Sequence, residues 1–392
     1  MIYLDNAATT QVHSEVIDLV VKYMASQFGN PASLHHMGLE SEKALKNARG
    51  LIAKHLNCQP DQIVFTSGGS ESNNWVIQRL MESEQGHAIV SGVEHPSVLE
   101  AVKAMQGKGF SVTTIPVNQL GTVSTENIVK SITPHTKLVS IMLVNNELGT
   151  IQPIENIVRE LRNSGYQGFI HTDATQAAGK IRLNLKHLDV DFLSLSAHKC
   201  HGPKGVGLLY MKRPQTIKPL IFGGGQESNQ RSGTHNLPGI VGMAKAIAIA
   251  DTHIQENWAH VSALRAHVIE KLRENPDIAF FSGPVSSTCD QSPFGGNTDW
   301  AVPHILSIGI KYAKSEVVLH ALEAKGIMVS SGSACSSNKK KQISHVIEAL
   351  GVDKTYAEGI IRMSFSSKNT LNEVDTAAQS LLDVLNTLHF PR

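Results

Sequence analysis

Short runs rich in β-branched and aromatic residues alternate with segments of helical character through the middle of this 392-residue chain. The runs lie at residues 63–66, 88–91, 112–117, 138–144, 168–172, 192–194 and 206–211. Consecutive parallel strands need a crossover connection, usually a helix, so this rhythm is typical of an α/β domain. The pattern therefore predicts an α/β fold whose large domain contains a mostly parallel, seven-stranded sheet.

The pattern changes after a helical region at residues 237–274, where prolines occur among Gly and Ser residues. Beyond them the sequence predicts a strand at 304–310, a helix at 316–325, a strand at 359–365 and a helix at 371–388. We therefore predict a large domain formed by residues 14–255. A smaller α+β domain is expected to comprise residues 1–13 and 256–392.

Composition excludes several classes of partner. The chain has 35 Lys and Arg residues against 34 Asp and Glu residues, so no basic field predicts direct nucleic-acid binding. The longest apolar stretch, residues 240–250, contains Lys245, and the first residues lack the pattern of a secretory leader, so we expect no membrane association. Four scattered cysteines without a CxxC pair predict a reducing, cytoplasmic location and no metal site.

Lys199 follows the apolar run 192–195 and precedes a glycine-rich turn, so its amine is expected to be partly desolvated and nucleophilic. Asp173 lies 26 residues earlier, also at the end of a predicted strand. An amine that forms a Schiff base and an acid that keeps a ring nitrogen protonated are the two groups that pyridoxal phosphate requires. This pair therefore indicates a pyridoxal 5'-phosphate site with Lys199 as the Schiff-base lysine.

The segment 65–74 contains Gly69 and Ser70 between a predicted strand and a predicted helix. Backbone N–H groups at such a helix start bind phosphate, although a generic Gly/Ser turn explains the same residues, and neither nucleotide-binding glycine motif is present. His95 follows another predicted strand, at the edge where α/β sheets bind ligands. It is either a structural histidine or a ring that stacks on the cofactor and exchanges protons.

Cys335 lies among small polar residues and is followed by Lys339, Lys340 and Lys341. Exposure and positive neighbours favour a reactive thiolate, whereas a solvated lysine run is the simpler explanation of the charges. Arg362 interrupts an apolar predicted strand, so it is either half exposed or an inward guanidinium that binds a carboxylate. The glycine-rich segment 223–234 is either a linker or a loop that supplies Thr234 to a phosphate.

Taken together, these motifs resemble the NifS-like cysteine desulfurases, which belong to the class V aminotransferase family of fold type I pyridoxal phosphate enzymes. The resemblance extends over essentially the whole chain. The motifs that carry it lie at residues 3–10, 28–33, 66–74, 94–95, 145–149, 173–176, 196–205, 231–234 and 330–335. It implies a homodimer that removes sulfur from L-cysteine, releases L-alanine and passes a persulfide to an acceptor protein. That acceptor is expected to be an iron–sulfur cluster scaffold or a tRNA-thiolation enzyme.

The resemblance also implies a role for each matching residue. Lys199 binds the cofactor, Asp173 pairs with its pyridine nitrogen, His95 stacks on the ring, Gln176 reaches the phenolic oxygen and Asn146 borders the site and the substrate. The cofactor phosphate is expected to be bound by Gly69, Ser70, Ser196, His198 and, from the partner subunit, Thr234. Arg362 is expected to bind the substrate carboxylate, and Cys335 to accept the sulfur.

Two departures from the family pattern are present. Ser70 stands where threonine is common, and Ser366-Ser367 stand where many relatives have Gly-Arg, which affects the expected substrate side of the site. Three rival functions remain open: an aminotransferase or lyase in which Cys335 has no role, a selenocysteine lyase, and a non-catalytic sulfur-relay protein. The extended segment after Cys335 resembles relatives dedicated to one acceptor.

Overall fold

The computed structural model describes residues 1–80, 85–215, 217–289, 300–331 and 343–388. Its helices are α1 (Ser14–Ala25), α2 (His36–Leu56), α3 (Gly69–Leu80), α4 (Pro96–Gln106), α5 (Thr125–Lys130), α6 (Ile154–Asn163), α7 (Leu185–Leu188), α8 (Leu237–Thr252), α9 (Ile254–Leu272), α10 (Ser315–Glu323), α11 (His345–Leu350), α12 (Lys354–Ala357) and α13 (Leu371–Thr387). Its strands are β1 (Ile2–Tyr3), β2 (Ile63–Thr66), β3 (His87–Ser91), β4 (Ser111–Ile115), β5 (Thr136–Ser140), β6 (Phe169–Asp173), β7 (Phe192–Ser196), β8 (Gly207–Met211), β9 (Ile278–Phe280), β10 (Ile305–Ile310), β11 (Ile327–Met328), β12 (Ser330–Ser331) and β13 (Ile360–Ser364).

The largest sheet in the described residues has seven strands in the order β2-β8-β7-β6-β5-β3-β4. All neighbours are parallel except β8, which is antiparallel to both β2 and β7. Strands such as β3, β7 and β8 are buried along their whole length, which explains their nearly continuous apolar sequences. The prediction of a mostly parallel, seven-stranded α/β sheet is confirmed.

A second, antiparallel sheet has the order β12-β13-β10-β9 and packs with α9, α10 and α13 around a separate apolar core. The N-terminal segment joins this part of the molecule, because β1 pairs with β11 and Leu4 accepts a hydrogen bond from the Ser364 N–H. The division into domains at residues 13 and 255 stays a prediction.

The predicted helical region 237–274 is two helices rather than one. His253 lies between them with φ −104° and ψ 11°, outside the helical region, so α8 ends at Thr252 and α9 begins at Ile254. Helix α8 is buried on most of its surface because it packs between the sheet and the helices α1 and α2. Within the described residues, no helix is both long and apolar enough to cross a membrane.

Candidate active site

A cavity of about 180 Å³ opens at the carboxyl edge of the parallel strands β3, β6 and β7. Ligands of open α/β sheets bind at this edge. The predicted site residues that line the cavity are Gly69, Ser70, His95, Asn146, Asp173, Gln176, Ser196, His198, Lys199 and Arg362. The structure therefore brings together residues that are up to 293 positions apart in the sequence.

Lys199 ends the short 3-10 turn Ala197–Lys199 that follows β7. Its Nζ donates to the carbonyl oxygens of Ala7 at 2.6 Å and Ala8 at 2.8 Å. The N-terminal segment is fixed beside this turn, since the Thr10 N–H donates to the His198 carbonyl at 3.0 Å. Backbone carbonyls from the N-terminal segment therefore orient the lysine amine, a contact that the sequence did not predict.

Asp173 ends β6 and accepts hydrogen bonds at both carboxylate oxygens. The Thr175 N–H donates to Oδ1 at 2.9 Å, and Asn73 Nδ2 donates to Oδ2 at 2.7 Å. Both partners donate, and together they fix the orientation of the carboxyl group at the cavity. Asn73 was missed, although it lies one helical turn after Gly69 in α3, the helix that the predicted phosphate turn opens.

His171 lies two residues before Asp173 on β6 and therefore on the same face of the sheet. Its Nδ1 is 2.8 Å from Ser140 Oγ and its Nε2 is 3.0 Å from Ser194 Oγ. Burial lowers the pKa of His171 to about 4, against a smaller opposite effect of Asp173. The ring behind Asp173 is therefore neutral at neutral pH.

His95 caps the N-terminus of α4, with Pro96 at the first helical position. Its Nδ1 accepts from the Ser97 N–H at 3.1 Å and lies 2.8 Å from Ser97 Oγ. Burial lowers the pKa of His95 further than Asp173 raises it, and Lys199 lowers it as well. Because Nδ1 accepts, the neutral ring carries its proton on Nε2, the nitrogen left for a ligand.

The start of α3 forms a cradle for an anion. Gly69 lies so close to Thr175 that a Cβ at this position would come within 2.6 Å of Thr175 Oγ1. That hydroxyl is buried, lines the cavity and has no hydrogen-bond partner among the described residues. The donors at the helix start, the unpartnered hydroxyl, the amine of Lys199 and the carboxylate of Asp173 together fit pyridoxal phosphate.

Arg362, in the middle of β13, is only 2% exposed, so the half-exposed alternative is wrong. Its Nη2 donates to Asp5 Oδ1 at 2.8 Å and its Nη1 donates to the Asn146 carbonyl at 2.8 Å. Its buried Nε has no partner among the described residues, and the side chain lines the cavity. The guanidinium is therefore oriented toward the cavity before any carboxylate binds.

Gln176 and Lys180 form a buried pair on the turn that follows β6. Lys180 Nζ donates to Gln176 Oε1 at 2.8 Å and to the Gln176 carbonyl at 3.0 Å, while Gln176 Nε2 donates to the Ala7 carbonyl at 2.8 Å. Lys180 was not predicted as a site residue. In the sequence, only its spacing of four residues from Gln176 indicated that the two side chains could meet.

One predicted residue is not in the cavity, and another is not described by the structure. Thr234 is exposed and does not line it, and its loop is tied to α3 by an ion pair in which Arg231 Nε donates to Glu71 Oε1 at 2.9 Å. Cys335 lies outside the described residues. Of the described cysteines, Cys58 and Cys200 have pKa values raised to about 12 by burial, so neither thiol is activated.

The residues that flank the stretch 332–342 lie beside the cavity. On one side, Ser330 pairs with Arg362 in the register between β12 and β13. On the other side, Ser344 Oγ donates to Glu147 Oε1 at 2.9 Å, and His345 Nε2 lies 2.9 Å from the carbonyl of Glu94, the neighbour of His95. The described residues on both sides of this stretch are therefore anchored at the site.

This fold is that of a fold type I pyridoxal phosphate transferase. Residues 2–376 match the profile of the family described as aminotransferase class-V, and the chain belongs to that family. The predicted family and fold type are confirmed, and the family is pyridoxal phosphate dependent.

The chain is similar to proteins that are described as cysteine desulfurases or NifS-like proteins. The cysteine desulfurase IscS of Dictyoglomus turgidum is 37% identical over 393 residues, which is 99% of this chain and 96% of the relative. A solved NifS-like protein has a TM-score of 0.89 at 36% identity and covers 99% of this chain and 100% of its own. A structure described as SspA in complex with cysteine has a TM-score of 0.77 at 32% identity, over 94% of this chain and 100% of its own.

Proposed function

We propose that this chain is a cysteine desulfurase that converts L-cysteine to L-alanine and leaves the sulfur as a persulfide on Cys335. The observation that carries the proposal is the convergence of Lys199, Asp173 and Arg362 on one cavity. Full-length similarity to cysteine desulfurases supports it, because the relatives match the chain from end to end.

When bound, pyridoxal phosphate supplies an aldehyde carbon that takes an amino group and a ring that withdraws electrons from the substrate Cα. Lys199 would bind the aldehyde carbon, and Asp173 would hold the proton of the ring nitrogen. Gln176 would contact the phenolic oxygen and His95 the ring. The phosphate would be held by Gly69, Ser70, Ser196 and His198, and in addition by the hydroxyl of Thr175, which the sequence did not predict.

The substrate is oriented by its carboxylate. Arg362 offers a guanidinium that Asp5 and the Asn146 carbonyl already hold in place, so little side-chain freedom is lost when a carboxylate binds. Lys199 Nζ would take the Cα proton of the substrate and return a proton to the product. His95 Nε2 assists because its ring is neutral and its orientation is fixed by the helix cap.

The sulfur transfer needs a thiolate near the substrate. The Cys335 thiolate forms an S–S bond with the substrate sulfur while the Cβ–S bond breaks. The electron pair of that bond stays on Cβ, which takes a proton to become the methyl group of alanine. Three lysines follow in the sequence at 339–341, and positive neighbours of this kind would favour the thiolate form.

The proposal includes a homodimer, in which Thr234 of one subunit reaches the phosphate bound by the other. Exposed apolar side chains support it, since Phe28 is 67% exposed, Leu34 98% and Phe222 76%, and a second copy would cover such side chains. The persulfide would pass to an acceptor protein of a cluster-assembly or tRNA-thiolation pathway in the cytoplasm. A sedimentation mass equal to that of a single chain would exclude the dimer.

The test is alanine formation from L-cysteine in the presence of a thiol reductant and without any amino acceptor. We expect the wild-type protein and Cys58→Ala, the control cysteine variant, to form alanine at similar rates. Cys335→Ala should keep the bound cofactor, measured by its visible absorbance, and lose alanine formation. Undiminished alanine formation by Cys335→Ala, or formation only after a 2-oxo acid is added, would overturn the proposal.

A further inference from the structure

Lys180 is a buried lysine for which the reaction outlined above has no role. Its side chain is 5% exposed, and within the described residues no ion pair joins it to a carboxylate. The charged and titratable groups around it are Lys199, Arg362, Cys200, His198, His201 and His304. Burying an ammonium without an opposite charge is costly, and burial, followed by the nearby Lys199, lowers the pKa of Lys180 to about 7.

The hydrogen bonds of Lys180 explain its position. Nζ donates to Gln176 twice, to the side-chain Oε1 at 2.8 Å and to the backbone carbonyl at 3.0 Å. An amide side chain has one accepting and one donating end, and either end can face a given partner. Nζ donates to two oxygens of Gln176, and an ammonium only donates, so in the charged form of Lys180 Oε1 of Gln176 faces Nζ.

The donating end of the amide, Nε2, has a partner that requires the same orientation of the side chain. Gln176 Nε2 donates to the Ala7 carbonyl at 2.8 Å, and a carbonyl only accepts. The same carbonyl accepts from Lys199 Nζ at 2.6 Å. A continuous chain of hydrogen bonds therefore connects Lys180 through Gln176 and Ala7 to Lys199, and Gln176 keeps a second N–H on Nε2 at the cavity.

From this geometry we infer that Lys180 is a positioning residue that fixes the amide of Gln176 so that Nε2, rather than Oε1, faces the cofactor. The inference rests on the proposed function, in which Gln176 contacts the phenolic oxygen of pyridoxal phosphate. An N–H donor stabilises that oxygen as an anion, whereas an amide oxygen in its place would repel it. Without Lys180, the amide loses one of the two partners that oppose the reversed orientation, and only the Ala7 carbonyl, which Lys199 shares, remains.

The experiment is a titration of the cofactor-free protein with pyridoxal phosphate, which gives a dissociation constant without any turnover. The variants are Lys180→Met, Gln176→Ala and the double variant, with Lys186→Met as the exposed lysine control. Lys180→Met is expected to weaken binding by roughly 10-fold to 100-fold, the range for one hydrogen bond to a charged group. In the Gln176→Ala background, Lys180→Met should weaken it no further, because both changes remove the same contact.

A second variant and a spectrum separate positioning from a merely structural role. Gln176→Glu keeps an acceptor for Lys180 but has no N–H, so it should weaken binding about as much as Lys180→Met. In both variants the visible band of the bound cofactor should move to shorter wavelength as the phenolic oxygen regains its proton. An unchanged dissociation constant in Lys180→Met, or equal losses in both backgrounds, would overturn the inference. If the wild-type protein bound no cofactor, the proposed function itself would fail.

Discussion

Glu94, next to His95, is completely buried, and within the described residues its carboxyl group forms hydrogen bonds only through Oε1. Oε1 accepts from Ser91 Oγ at 2.5 Å and from the Met142 N–H at 2.8 Å, while Oε2 has no partner there. Burial raises the pKa of Glu94 to about 8, and Asp173 adds to the rise. The folded protein therefore holds a proton on Glu94 at neutral pH, near the carboxylate of Asp173.

This proton gives a pH-dependent stability. Between about pH 4.5 and 8 the folded state keeps the Glu94 proton that the unfolded state releases, so the free energy of unfolding falls as the pH rises. Glu94→Gln removes the titration and keeps an oxygen for Ser91 and Met142. In denaturant unfolding, the variant should gain stability relative to wild type as the pH rises through this window. A stability difference that does not change with pH would contradict the raised pKa.

At this scale the sequence predicted the reactive groups but not the groups that hold them. Lys199 and Asp173 were predicted because their residue types and positions after strands match the needs of the cofactor. The contacts from Ala7, Asn73 and Lys180 were not, because a backbone carbonyl and common polar side chains carry no chemical signature. They become visible only when packing brings Ala7 next to a lysine 192 residues away.

Among the elements, the loop that carries Thr234 is held by one buried carboxylate. Glu227 accepts from Arg49 of α2 at 2.6 and 2.9 Å and from the Phe65 N–H at 2.8 Å, and it lies 2.8 Å from His235 Nε2. Burial alone would raise its pKa, but the hydrogen bonds from His235 and Arg49 lower the pKa of Glu227 to about 2. These bonds hold a turn in which Glu227, Ser228 and Asn229 all have positive φ angles.

Arg49→Met is predicted to leave this carboxylate buried without its main cation. Removing one partner of a buried ion pair costs about 3–5 kcal/mol of unfolding free energy, because the remaining charge is uncompensated. Lys46→Met, on the same helix, is the control, since its ion pair with Glu42 is exposed and should contribute about 0–1 kcal/mol. Urea unfolding of both variants is the measurement. Equal losses in the two variants would show that the Glu227 contacts do not hold the loop.

Long helices and strands with a clear apolar pattern were predicted from the sequence, and very short strands were not. The buried strands of the seven-stranded sheet have clear apolar runs, and all were predicted. The antiparallel direction of β8 was not, because an apolar run does not encode its direction. The two-residue strands β1, β11 and β12 are too short to have a pattern. They are defined by their partners, since β1 pairs with β11 and β12 pairs with β13.

At the scale of the whole molecule, the N-terminal segment connects the two sheets through the active site. Tyr3 pairs with β11, Asp5 holds Arg362, Ala7 and Ala8 hold Lys199, and Thr10 bonds to the turn after β7. Arg362 and Lys199, the residues proposed to bind the substrate and the cofactor, are thus fixed relative to each other by one short stretch of chain. The proposed dimer would complete the site with Thr234 from the second subunit.

The most direct test is to locate the covalent cofactor attachment. The purified protein is incubated with pyridoxal phosphate, the C=N bond is reduced with borohydride, and the modified lysine is identified by peptide mass spectrometry. We expect the added mass on Lys199 alone, and none in Lys199→Ala. Modification of Lys180 instead of Lys199, or no modification of either residue, would contradict the account.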